Sequence, residues 1–115
     1  MAAESTVFGL LSAASAVSAL VAARIYPSVR PQEGALPCIV FERVETEIVQ
    51  TVHGTFVLSL ATIRINAIST TLAEADAISD AVRTALAAHT HTERLSTYDS
   101  DADVFISATT HIVRD

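Results

Sequence analysis

Apolar and polar residues alternate most clearly between residues 36 and 69, where two long β-type runs stand next to each other. The first runs from Cys38 to Gln50 and the second from Phe56 to Ile68, both rich in β-branched residues that favour extended backbone. Between them lies Val52-His53-Gly54-Thr55, in which Gly54 can supply the positive φ of a tight turn. The pattern predicts a long antiparallel hairpin with arms of roughly 40 Å at about 3.3 Å per residue. A domain of this length has an expected radius of gyration of about 13 Å, so such arms outrun their own core. The distal hairpin is therefore expected to touch another protein.

Within the second run the alternation changes phase. Phe56, Leu58 and Leu60 share one face, whereas Ile63, Ile65 and Ala67 share the other. Two readings are open: a β-bulge near Ala61 re-aims the side chains, or the distal half presents its apolar row to a neighbouring subunit. In the first run Val44 and Ile48 lie on one face, while Arg43, Glu45 and Glu47 make the other polar.

Ahead of the hairpin, residues 5–23 carry no charge. Val7, Leu10, Leu11, Ala14, Val17 and Val21 fall on one helical stripe with Ser12, Ser15 and Ser18 opposite, which predicts an amphipathic helix capped by Ser5. Glu4 before the run and Arg24 after it reverse the flanks of a secretory signal, and a one-sided stripe does not suit a membrane span. Arg24-Ile25-Tyr26-Pro27 is expected to end this helix, and the prolines Pro27, Pro31 and Pro37 mark a surface connection.

After the hairpin, Thr71-Leu-Ala-Glu74 fits a capping box opening a helix at Leu72, with Ala75, Ile78, Val82, Leu86 and His89 on one period. Residues 90–93 read as a loop, 94–98 as a short strand, 99–102 as a turn and 103–113 as a last strand in which Val104, Ile106, Ala108 and Thr110 alternate. The expected architecture is one α+β domain over residues 1–115. It consists of an antiparallel sheet of about four strands built on the hairpin, with two helices on one face, in the order α-β-β-α-β-β.

Composition narrows what this domain can do. Half the residues are hydrophobic but only 5% are aromatic, so the core is built of Ala, Val, Ile and Leu. With 13 acidic and 7 basic residues the net charge is −6, the wrong sign for wrapping nucleic acid or an anionic membrane. The single cysteine, Cys38, excludes an intrachain disulfide and points to a reducing cytoplasm as the place of synthesis.

Candidate chemistry is sparse. His89 and His91 lack further ligands at a zinc spacing. Asp99, Asp101 and Asp103 resemble the start of a calcium loop, but Val104 stands where glycine is needed and Thr110 where glutamate is needed. Cys38 has no histidine partner, and Arg43 and Arg64 are expected to pair with Glu42 or Glu45. Neither an active site nor a cofactor site is expected, so the chain is not read as an enzyme.

The order of these segments is similar to that of the small tail-completion or tail-terminator proteins of long-tailed bacteriophages and gene transfer agents. The resemblance rests on residues 20–27, on Leu36-Pro37-Cys38-Ile39-Val40-Phe41, on the strand 61–67 and on the alanine-rich helix 72–86. It departs at Cys38, where an aromatic is common, and at Asn66-Ala67, which lacks a bulky residue. The resemblance implies a structural virion protein assembled in the host cytoplasm, forming a homo-oligomeric ring, usually a hexamer, that closes the head-proximal end of the tail tube. Its partners would be the tail tube protein and the head connector or stopper, with DNA passing through unbound and no membrane involved. The interface would then include Glu45, Glu47, Val49, Val52, His53, Phe56, Leu58 and Leu60 on the distal hairpin. Two other readings remain open: a small ferredoxin-like ligand-binding domain, and a cytosolic homodimer that pairs its sheet edges.

Overall fold

The computed structural model describes residues 2–22, 24–27, 36–50 and 57–114. Its elements are α1 (Ala2–Ala13), α2 (Ser15–Val21), β1 (Ile25–Pro27), β2 (Cys38–Gln50), β3 (Val57–Ser69), α3 (Leu72–Ala85), β4 (Thr90–Asp99) and β5 (Val104–Arg114). The fold is α+β, but the sheet has five strands in the order β1-β2-β3-β5-β4 and is mixed, because β1 runs parallel to β2. The expected four-strand antiparallel sheet is thus corrected by one short strand. Ile25, Tyr26 and Pro27 pair with Ile39, Val40 and Phe41, and Arg24 fastens the join through its carbonyl to the Ile39 amide and its Nε to the Pro37 carbonyl. A three-residue strand is too short to show a period in sequence.

The hairpin forms as its pattern predicts. β2 and β3 pair from Cys38↔Ile68 out to Gln50↔Val57, and the turn residues Val52 to Thr55 lie outside the described residues. From Ala61 to Ala67 of β3 the alternation is unbroken, with Ala61, Ile63, Ile65 and Ala67 buried and the residues between them half-buried. The bulge expected near Ala61 lies instead on β2, where the register shifts between Arg43 and Glu45 and Val44 is the extra residue. A bulge reverses the phase of its own strand. Arg43 therefore shares the helix-side face with Thr46, to which its Nη1 donates at 2.8 Å, while Glu45 and Glu47 point the other way.

All three helices contribute to one core against this face. The single N-terminal helix expected from the stripe is two, bent by 82° at Ala14, which has extended backbone (ψ 115°). The bend brings Val7 and Leu11 of α1 and Val17 and Val21 of α2 into the same cluster as Ile39, Ile63, Ile65, Ile78 and Val82. Burying side chains of this kind stabilises a fold by about 1.5–3 kcal/mol each. Among the described residues no single helix is long and apolar enough to cross a membrane.

α3 starts where the capping pattern places it, with the Thr71 Oγ1 accepting from the Glu74 amide at 3.3 Å. The reciprocal half of the box is absent. Glu74 takes the Ser69 hydroxyl, and the Thr71 amide donates to that same hydroxyl oxygen at 3.4 Å.

The last strand has the expected length, 104–114 against 103–113, but the strand before it is more extensive than expected. β4 begins at Thr90 and includes residues read as a loop, because β5 supplies hydrogen-bonding partners along its whole length, with a second bulge between His91 and Glu93. On β5 the inward row is Ser107, Thr109, His111 and Val113, all buried, whereas Ile106, Ala108 and Ile112 sit half-buried on the helix-free face. The molecule measures 51 × 29 × 23 Å.

Candidate interaction surfaces

A site for small-molecule chemistry would need a concave pocket with converging polar groups. The groove between Leu72, Ser96, Thr97, Tyr98 and Phe105 and the one between Glu4, Ser5, Phe8, Gly9, Pro27 and Phe41 are shallow, wide-mouthed and mainly apolar. Among the described residues, no group of three or more His, Cys, Asp or Glu side chains is placed to hold a metal ion.

The individual candidates are occupied structurally. Asp99 accepts the amides of Asp101 (3.0 Å) and Ala102 (3.4 Å), closing the β4–β5 turn, and Asp103, at φ 56°, accepts the Tyr98 hydroxyl. That hydroxyl's pKa is raised, chiefly by its hydrogen bond to Asp103. Cys38 is fully buried at the start of β2. Arg43 pairs with Glu4 of α1, donating from Nε at 3.2 Å and also from Nη2, instead of with Glu42 or Glu45. Arg43 continues the helix-side row of Ile39 and Phe41, and the bulge at Val44 turns Glu45 to the other face. The pair with Arg43 holds the Glu4 carboxyl down to about 2, mainly through the Arg43 hydrogen bond. Arg64 stands opposite Glu42 in the ladder.

The least expected polar group is His111. It is completely buried on β5, its ring 5.1 Å from that of His91, with Nε2 3.2 Å from the Thr109 hydroxyl. His111 Nδ1, His91 Nε2 and Ser107 Oγ have no hydrogen-bond partner among the described residues. Burial, then the neighbouring His91 and His89, lower the His111 pKa to about 4. Its inward position was available in sequence only as the period-two companion of Ser107 and Thr109, a row too polar to read as core.

Apolar surface also remains exposed, on α1 at Phe8, on α3 at Leu72 and most of all on strands. The large exposed hydrophobic side chains of the described residues include Val44 (48%), Ile48 (65%), Leu95 (58%) and Tyr98 (49%), on β2 and β4. β3 pairs with β5 only as far as Leu60↔Arg114, so Val57 to Ser59 and their partners Ile48 to Gln50 form a two-stranded extension beyond the rest of the sheet. Of the hairpin residues named from sequence, Glu45 and Glu47 are exposed and share a face, and Leu60 is half-buried opposite Glu47. Val49 and Leu58 are ladder partners, and Val52, His53 and Phe56 lie outside the described residues.

Among the described residues the chain thus has a two-stranded arm that reaches past the rest of its sheet and no converging polar pocket. Comparison with known proteins gives the family. Residues 5–112 match the family of tail completion protein gp17. The chain belongs to that family. Members of the tail completion family are structural components of virion tails, and that is the class of this chain. A solved chain from the virion of a native gene transfer agent (GTA) particle has the same fold, with a TM-score of 0.77 at 20% identity over 94% of this chain and 90% of that one. Among curated proteins, none matches the sequence.

Proposed function

We propose that this tail completion protein forms a closed homo-oligomeric ring at the head-proximal end of a tail tube. The ring joins the tube to the head connector and lets DNA pass through its hole. The observation that carries the reading, beside family membership, is the hairpin extension with Ile48 exposed at its base, an apolar surface that the chain's own helices do not cover. A net charge of −6 per subunit suits a conduit through which a polyanion slides without binding. The distal hairpin, including Glu45, Glu47, Val49, Val52, His53, Phe56, Leu58 and Leu60, meets the neighbouring subunit or the tube. The role is structural, without catalysis or a cofactor. Native mass spectrometry and negative-stain imaging of the purified chain test the ring, with a closed species of defined stoichiometry, six in the simplest case, as the expected result. Complementation of particles lacking the protein tests the joining role. A chain that stays monomeric at all concentrations and leaves heads and tails unjoined would falsify the proposal.

A further inference from the structure

β4 is the last strand of the sheet and, among the described residues, pairs with β5 alone. Past its bulge the run 93–99 is uninterrupted, and its side chains are exposed except at Asp99, which is half-buried. The stretches outside the described residues do not have the length to lie along its outer side. A path from Pro27 around β4 and back to Leu36 crosses nine strand spacings, about 43 Å, whereas the links between those two residues extend to at most about 32 Å. The hairpin tip is tied at Gln50 and Val57, roughly 23 Å along β3 from Arg64, which stands level with Glu93. The outer amides and carbonyls of 93–99 thus form a free edge, which templates pairing with a further strand unless something blunts it. The run has no proline or lysine, and its one cation, Arg94, is turned back to Asp80 and Asp76 of α3.

The charge of the molecule is concentrated around this edge. Residues 72–103, which make α3, β4 and the turn after it, carry seven carboxylates against Arg83 and Arg94, a net charge of −5 out of −6 for the whole chain. They lie together at one end of the sheet, because Arg94 and Ser96 of β4 fasten to Asp80 (2.7 Å) and Asp76 (3.3 Å) of α3. A strand laid along 93–99 would send alternate side chains to the two faces. On one face it meets Glu93, Leu95 and Thr97, and on the other Ser96, Tyr98 and, across the apolar groove, Leu72 of α3. Apolar anchors and carboxylates therefore stand side by side on both faces.

We infer that the β4 edge takes up an extended segment of a different virion protein, one in which lysine or arginine side chains are interleaved with apolar ones. This rests on the joining role and names the chemistry of a partner; it does not depend on the ring number. Charge complementarity selects the occupant. DNA and an anionic membrane have the same sign as the surface. A second copy does not supply a basic edge either, since β4 has a net charge of −1, β2 of −2 and β1 of zero, and the chain contains no lysine.

Photo-cross-linking in assembled particles tests the contact. A benzoylphenylalanine in place of Thr97, exposed in the middle of the run, should on illumination join this chain to a different protein through a peptide with more Lys and Arg than Asp and Glu. A cross-link to a second copy, a cross-link to an acidic peptide, or no cross-link in particles that contain the chain overturns the inference. Charge reversal adds a second readout. Glu93→Lys combined with Asp101→Lys changes two exposed side chains, so circular dichroism should match the parent while complementation of particles lacking the protein falls by about tenfold or more. Glu93→Gln combined with Asp101→Asn should fall less. If the parent complements and the folded charge-reversed variant does so equally well, the edge inference fails and the joining role stands. If the parent itself leaves heads and tails unjoined, both fall.

Discussion

His111 shows how a single buried side chain can make the fold pH-sensitive. With its pKa lowered to about 4 from an ordinary value near 6.5, the folded chain resists taking up the proton that the unfolded chain accepts. Stability is therefore fully present above pH 6.5 and declines as pH falls from 6.5 toward 4, by up to about 3 kcal/mol for a shift of this size. Chemical denaturation at a series of pH values should show this decline, and His111→Gln, which cannot titrate, should flatten it. An equal slope in the variant would assign the effect to another group. Glu4 acts in a separate and more acidic window. Its carboxyl is held at about 2 by Arg43, so its contribution is present above pH 4.5 and is lost as pH falls from 4.5 toward 2. Because both side chains are partly exposed, Glu4→Gln should cost no more than about 1 kcal/mol at neutral pH. A larger loss would mean that the pair fixes the position of α1 on β2.

Among the elements, α3 depends most on a short local signal. Thr71 satisfies the Glu74 amide, and the helix then buries Ala75, Ile78, Ser79 and Val82 against the sheet. The Ser79 hydroxyl donates to the Ser107 carbonyl at 3.0 Å, tying the helix to β5. Thr71→Ala should destabilise the fold by about 1 kcal/mol, measured as a lowered denaturant midpoint with unchanged slope. Thr71→Ser should recover most of that loss, since it keeps the capping oxygen, and failure to recover would point to the threonine methyl instead. β4 is held differently. Its side chains are largely exposed, and it is fixed by its ladder with β5 and by Arg94, whose Nη1 lies 2.7 Å from Asp80 on α3.

For the whole molecule, the core and the proposed assembly surface occupy different stretches of the same hairpin. Ile63 sits fully buried beneath the helices, and Ile63→Ala should cost about 2–5 kcal/mol of stability in the subunit itself. Ile48 lies on the same hairpin but is 65% exposed, so Ile48→Asp should leave the subunit's thermal midpoint nearly unchanged while preventing assembly. Light scattering paired with circular dichroism separates the two effects. A variant Ile48→Asp that assembles like the parent would remove the base of the extension from the interface.

Local patterns were sufficient wherever a segment was long and strictly periodic. Both arms of the hairpin, the Thr71 cap, the start of α3 at Leu72 and the presence of the last strand could all be read from residue order, because each depends on neighbours two to four positions away, but the row Val104, Ile106, Ala108 and Thr110 did not mark the core face of that strand, which is Ser107, Thr109, His111 and Val113. The order of weak segments was also enough to indicate the tail completion family, which the match over residues 5–112 establishes. What depends on partners distant in sequence was decided only by tertiary structure. The three residues of β1 are a strand because β2 lies beside them, and the polar stretch at Thr90 is a strand because β5 does. The bulge falls at Val44 of β2 and not near Ala61 of β3, and Arg43 stays on the row of Ile39 and Phe41, where it meets Glu4, 39 residues away. The 82° bend between α1 and α2 has a similar origin: a straight helix would carry one end of its apolar stripe past the sheet, and the bent one lays both ends on it. Side-chain period specifies which residues can share a face, but long-range packing determines which face is covered.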